Sequence, residues 1–161
     1  MSGCWTRESQ TVYPDKRLGA PIPMDFETKV EWSGSYPARM DGQNGMTVEY
    51  SPPAELGGTK GPMTPEDAFV GAANMCFQIV FASVSKGLGM TLTAYRCRAV
   101  GDLQTVDGAK KFVKIILYPE MRFTPGSNLT NLEKAVAATK SRCLVTNSMA
   151  LEVDVVPKVL E

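Results

Sequence analysis

Residues 68–85 carry no charged side chain, and these eighteen residues constrain the fold more than any other part of the chain. The stretch is at the short end of the roughly 20 residues that a membrane span requires. It also holds Asn74, Gln78, Ser83 and Ser85, so it reads as a buried helix of a soluble protein. Start signals precede it: Thr64 as N-cap, Pro65 at the first helical position and Asp67 as the capping-box partner predict a start at Pro65. Lys86 is the expected last residue, with Gly87 and Gly89 available for a left-handed stop. A helix apolar on nearly all sides needs cover from a sheet and another helix, or from a second subunit.

The flanking sequence supplies strands. Residues 1–25, with Pro14, Pro21 and Pro23 and no sustained periodicity, are expected to form an extended N-terminal arm, and residues 26–161 a single domain. Residues 26–32 and 46–50 read as strands of a β-meander, with Asp41-Gly42 and Asn44-Gly45 as turn chemistry between them. Residues 92–100 and 112–118 read as the arms of a hairpin joined through Asp107-Gly108. Thr130-Asn131-Leu132-Glu133 has the form of a capping box, and Leu129, Leu132, Val136, Thr139 and Cys143 follow at helical spacing, so Cys143 is expected to close a buried stripe. Residues 149–155 alternate as a final strand. Strands, long buried helix, strands, amphipathic helix and strand describe an α+β domain with largely antiparallel sheet, and no βαβ winding is expected.

Composition excludes several functions. Lysine plus arginine and aspartate plus glutamate balance at 17 each, so no net field draws the chain toward nucleic acid or anionic lipid. Histidine is absent, which removes Ser-His and Cys-His activation and His-based zinc sites. The cysteines at 4, 76, 97 and 143 show no CxxC spacing, so no metal and no cofactor is expected. A polar N-terminus without the apolar run of a secretory signal predicts a reducing cytoplasm, where the cysteines rest as thiols.

Two of those thiols carry the functional reading. If the fold brings Cys76, in the apolar helix, to Cys143 in a sheltered pocket, the chain has a nucleophile and a resolving partner for peroxide or disulfide chemistry. Burial opposes ionisation, so the site needs a cation or hydrogen-bond donors, and without histidine the candidates are Arg39, Lys60 and backbone amides. Glu66, in the first helical turn, is placed to hold such a cation, although simple helix-dipole stabilisation explains it equally well. Glu66 and Cys76 lie roughly 15 Å apart along one helix axis. A joint role requires an intermediary, or a Cys76 supplied by another subunit. Cys97 fits a strand filler, Cys4 lies in the arm, and a solvated strand position accounts for Arg39 more simply than a site role. Gly57-Gly58 suits an anion-binding nest or an ordinary turn, and Gly58-Thr59-Lys60-Gly61 lacks phosphate-loop spacing.

Glu55-Leu56-Gly57-Gly58, the run from Thr64-Pro65-Glu66-Asp67 to Met75-Cys76-Phe77, and Cys143-Leu144-Val145-Thr146-Asn147-Ser148 resemble the OsmC/Ohr superfamily of osmotically inducible and organic hydroperoxide resistance proteins. The resemblance covers about residues 27–156. It implies antiparallel sheets wrapped around two long central helices in an intertwined homodimer, with two active sites at the interface. It further implies a thiol-dependent peroxidase acting on organic hydroperoxides: Cys76 attacks the peroxide and becomes a sulfenic acid, Cys143 closes a disulfide, and an unidentified thiol reductant reopens it. Glu66 would pair with an arginine that stabilises the thiolate, and Arg39 is nearest in topology. Leu144 stands where the family commonly has proline. The apolar side chains of Phe69, Met75, Phe77 and Phe81 would favour greasy peroxides. The competing reading keeps the fold and makes the protein a non-catalytic or redox-sensing dimer that binds a small apolar ligand. A structural protein without a ligand is the third.

Overall fold

In the computed structural model, which describes residues 24–160, Thr64 starts helix α1 (Pro65–Gly87) as its sequence predicts. Thr64 Oγ1 accepts from the Asp67 amide at 3.0 Å, while Asp67 Oδ2 accepts from the Thr64 amide at 3.1 Å, so two first-turn donors are satisfied reciprocally. At the other end Leu88 follows the helix and Gly89 takes φ 77°, a backbone shape that glycine adopts without strain.

One face of α1 builds the core. Ala73, Phe77, Phe81 and Val84 recur at helical spacing and pack with Met90, Ile115, Leu117, Met121, Ala135 and Val153. Phe77 and Phe81 stack with ring centroids 5.8 Å apart. Burying each such side chain stabilises the fold by about 1.5–3 kcal/mol. The opposite face carries Met75 and Ile79, which are 62% and 66% exposed. Only 28% of the most apolar window of α1 is buried, so one chain covers little more than a quarter of it. By length and composition α1 would also pass as a membrane span, a test that the core helix of a soluble protein passes too.

The helix lies on a long hairpin, β4 (Leu92–Val106) and β5 (Ala109–Phe123). Asp107 and Gly108 join the strands at φ 52° and 78°, the paired left-handed residues of a two-residue hairpin turn. Both strands are longer than the alternation predicts. Their outer ends, with Asp102, Gln104, Lys110 and Lys111, are solvent-exposed and therefore lack the apolar period that marks a half-buried strand. Gly101 permits close approach of helix and hairpin: a Cβ there would lie 2.7 Å from both Val70 Cγ2 and Phe112 Cε1. Phe112 consequently stacks on Phe69 at 5.1 Å.

After β5 the chain runs through α2 (Leu132–Arg142) and α3 (Leu144–Asn147) to β6 (Glu152–Val155) and β7 (Lys158–Val159). Both last strands pair with β5 in parallel. The sequence reading expected no βαβ winding, and the β5–α2–α3–β6 path corrects it: alternation shows which face of a strand is buried but not the direction of its neighbour. The capping box expected at Thr130 is also absent. Residues Leu129–Asn131 form a 3-10 turn in which Thr130 Oγ1 donates to Asn128 Oδ1 at 2.6 Å, and Asn131 precedes α2 with no side-chain cap. Leu129, at the head of the expected stripe, is 43% exposed. Ala135 and Thr139 are the buried residues of α2.

The N-terminal meander is a separate three-stranded antiparallel sheet, β1 (Thr28–Glu31), β2 (Ala38–Gly42) and β3 (Thr47–Tyr50). Its middle strand, Ala38-Arg39-Met40-Asp41-Gly42, holds Arg39 at a strand position as expected but also takes in Asp41 and Gly42, which read as turn residues. A bridge ties the sheet to the approach to α1: the Met63 amide donates to Glu49 O at 3.1 Å and the Ser51 amide to Met63 O at 3.0 Å. Among the described residues, none of β1 to β3 joins the core cluster. The expected arm of residues 1–25 lies outside the described residues up to position 23.

Candidate active site

Cys76 projects from the middle of α1 toward the junction between α2 and α3. Cys143 is that junction. It lies outside α2, at φ −72° and ψ 107°, rather than on the helical stripe that its spacing predicts. Its amide donates to Thr139 O at 2.9 Å and its side chain is wholly buried. The two thiols are neighbours, and the backbone amides of Val145 and Leu144 lie near enough to the Cys76 sulfur to act on it. Both cysteines are free thiols. Burial pushes the Cys76 thiol up from its ordinary 9.0, the neighbouring Cys143 adds to this, and the two amides pull it back. The sequence named backbone amides as candidate donors without placing them. Their signal would have been a helix restart directly after Cys143.

Glu66 is half-buried at the head of α1, and its Oε2 is fully enclosed without a hydrogen-bond partner among the described residues. Buried carboxylate oxygens are normally satisfied. Arg39 does not fill this role within one chain. Its Nε and Nη2 reach Asp41 Oδ1 at 2.9 and 2.7 Å, and its side chain remains 56% exposed. Thr47 Oγ1 also donates to Asp41 at 2.6 Å, and together Thr47 and Arg39 hold the Asp41 carboxyl below the usual carboxylate range. Lys60, the other cation considered, is exposed in the loop before α1.

Several other sequence features have structural explanations. Gly57 and Gly58 close a turn whose amides donate to Ala54 O and Pro53 O, so they form no anion nest. A Cβ on Gly58 would lie 1.7 Å from Pro52 O. Cys97 packs against the core from β4, and burial raises its thiol, as a strand filler would behave. Phe77 and Phe81 face the core, Phe69 packs on Phe112, and Met75 points outward. The apolar lining expected from these four residues is therefore not formed around Cys76 by one chain. Among the described residues no group of three or more Cys, Asp or Glu side chains could hold a metal ion. Two surface grooves of about 580 and 620 Å³ lie away from Cys76, one beside Arg98 and Tyr118 and one beside Trp32 and Arg39.

A long two-faced helix on a mixed sheet, with a helix thiol beside the thiol at a helix junction, defines a two-cysteine α+β domain. The chain belongs to the OsmC-like protein family, whose sequence profile matches residues 57–158. Its fold is similar to that of an OsmC-like protein from Vibrio cholerae, at 23% identity and a TM-score of 0.77 over 86% of this chain and 100% of that one. It is also similar to an organic hydroperoxide resistance protein OsmC from Legionella pneumophila, at 22% identity and 0.65 over 91% and 100% of the two chains. The organic hydroperoxide resistance protein OhrB of Bacillus subtilis shares 16% identity at 0.62, over 85% and 98%. No curated protein matches the chain.

Proposed function

We propose that this protein is a thiol-dependent peroxidase that reduces organic hydroperoxides as a homodimer. The observation that carries this reading is the proximity of Cys143 to Cys76, with the Val145 and Leu144 amides beside the Cys76 sulfur. In the proposed cycle the Cys76 thiolate attacks the distal peroxide oxygen, the O–O bond breaks, and the alkoxide leaves as an alcohol after taking a proton. Cys76 is then a sulfenic acid. Cys143 attacks its sulfur, water leaves, and a Cys76–Cys143 disulfide forms. A small-molecule or protein dithiol restores both thiols by exchange.

Dimerisation answers the two deficits of the single chain. A second copy would cover Met75 and Ile79 on α1, and it would bring a cation to the enclosed Glu66 Oε2. Arg39, exposed on a sheet that packs little on its own chain, is our candidate for that cation. The exposed apolar side chains of the same sheet, Val30 and Trp32, would complete a greasy pocket.

A second reading, the same dimer as a redox-sensing binder of a small apolar ligand, is favoured by the direction in which burial moves the Cys76 thiol. Rapid mixing of reduced protein with cumene hydroperoxide separates the two. Under the peroxidase reading, Cys76→Ser abolishes peroxide consumption, whereas Cys143→Ser reacts once and stalls as a sulfenic acid. Equal consumption by Cys76→Ser and wild type would sink it.

A further inference from the structure

The hairpin has a second face, turned away from α1. Tyr95 and Cys97 of β4 pack against the core, and Ile115, Leu117 and Met121 of β5 are buried in it, so the alternate residues Arg96, Arg98, Tyr118 and Glu120 lie on the opposite side of the sheet. Cross-strand register sets them in rows. Arg96 is opposite Glu120, which faces Lys158 of β7 on its other side, and Arg98 is opposite Tyr118. In the first row one carboxylate is shared by two cations: Glu120 pairs with Arg96 Nε and lies 3.8 Å from Lys158 Nζ. In the second row an aromatic ring stands where the carboxylate would be. The Arg98 guanidinium lies 4.2 Å from the Tyr118 ring centroid and has no ion-pair partner among the described residues. Stacking holds the plane of the guanidinium and leaves its N–H edge open to an acceptor.

These side chains line the groove of about 580 Å³ beside Arg98, a volume that suits a small molecule. Three cations face one acid there, in a chain whose charges balance overall. Val156, which is 53% exposed, and Pro157 add an apolar wall. We propose that this groove binds an organic monocarboxylate, its carboxylate on the N–H edge of Arg98 and its apolar body along Val156 and Pro157. A planar guanidinium matches a carboxylate through two parallel N–H···O bonds. Arg96 and, more weakly, Lys158 hold the Glu120 carboxyl below the usual carboxylate range, so it stays ionised and repels a second negative charge. A monoanion is thereby preferred to a phosphate dianion. Cys76 and Cys143 do not line this groove, and its occupancy is independent of the peroxidase reading.

Phenylacetate is the probe, titrated into the full chain and followed by NMR of the backbone amides and the arginine Nε–H groups. Saturable shifts are expected at Arg98, Val156 and Lys158. Controls on wild type take the ligand apart. Phenylacetamide keeps the ring without the charge, acetate keeps the charge without the ring, and each should bind about tenfold more weakly. Inorganic phosphate should also bind more weakly than phenylacetate. Arg98→Gln should lower phenylacetate affinity about tenfold, and Arg98→Lys, which keeps the charge and loses the fork, should not restore it. Arg98 is exposed, so neither change touches the core, and the wild-type controls stand without any variant. The proposal fails if phenylacetate gives no saturable shift in the groove, or if Arg98→Gln binds it as wild type does. Phenylacetamide or acetate binding as tightly as phenylacetate, or phosphate binding more tightly, would overturn it too.

Discussion

Phe81, at the centre of the helix-and-hairpin body, is wholly buried, whereas Trp32, beside β1 of the N-terminal sheet, is 61% exposed. Both are large aromatics that water disfavours. The body meets that demand within one chain, through α1, β5 and α2, while the sheet leaves Val30, Trp32 and Tyr36 open and joins the body through the Tyr50–Met63 bridge. The contrast separates the part of the molecule that can be stable by itself from the part whose apolar surface calls for another copy. The same division runs along α1, where Phe77 faces inward and Ile79, two residues later, faces out.

The strongest test of this contrast compares the two aromatics. Phe81→Ala should cost about 3–5 kcal/mol in urea unfolding, whatever the protein concentration. Trp32→Ala should show a loss that grows with protein concentration, because in the proposed dimer a second copy covers the exposed face of that ring. A concentration-independent loss at Trp32 would place that side chain in the fold of the single chain. Next in size, Ile79→Glu sets a charge in the proposed interface, and sedimentation should find monomer under conditions where wild type is expected to sediment as the proposed dimer. An Ile79→Glu protein that stayed dimeric would move the interface elsewhere. The smallest effect is local: Thr64→Ala removes the α1 cap and should lower stability by about 1 kcal/mol without altering association.

Local chemistry made much of this legible in the sequence. The start of α1 follows from Thr64, Pro65 and Asp67, and the hairpin turn from Asp107 and Gly108, because each depends on neighbours a few residues away. Properties set by distant contacts were not legible. The parallel course of β6 depends on the excursion through α2 and α3, which pack on α1, and the exposed ends of β4 and β5 at the hairpin turn are held by pairing rather than by an apolar face. Of the site, helical spacing put Cys143 on α2, whereas it lies just beyond the last turn of that helix. Glu66 was singled out, yet its enclosed oxygen without a donor could emerge only from burial in three dimensions. Arg39 pairs with Asp41, two residues along β2 and so on the same face of the strand.

The position of Cys143 between two helices has a mechanical meaning for the proposed cycle. Cys143 is a fixed corner: its amide donates to Thr139 O and its carbonyl accepts from the Asn147 amide, while its ψ of 107° turns the chain between the two helices. Closing from neighbouring thiols to a covalent bridge then falls on the side-chain torsions of the two cysteines, leaving α1 and α2 straight and the core around Phe81 undisturbed.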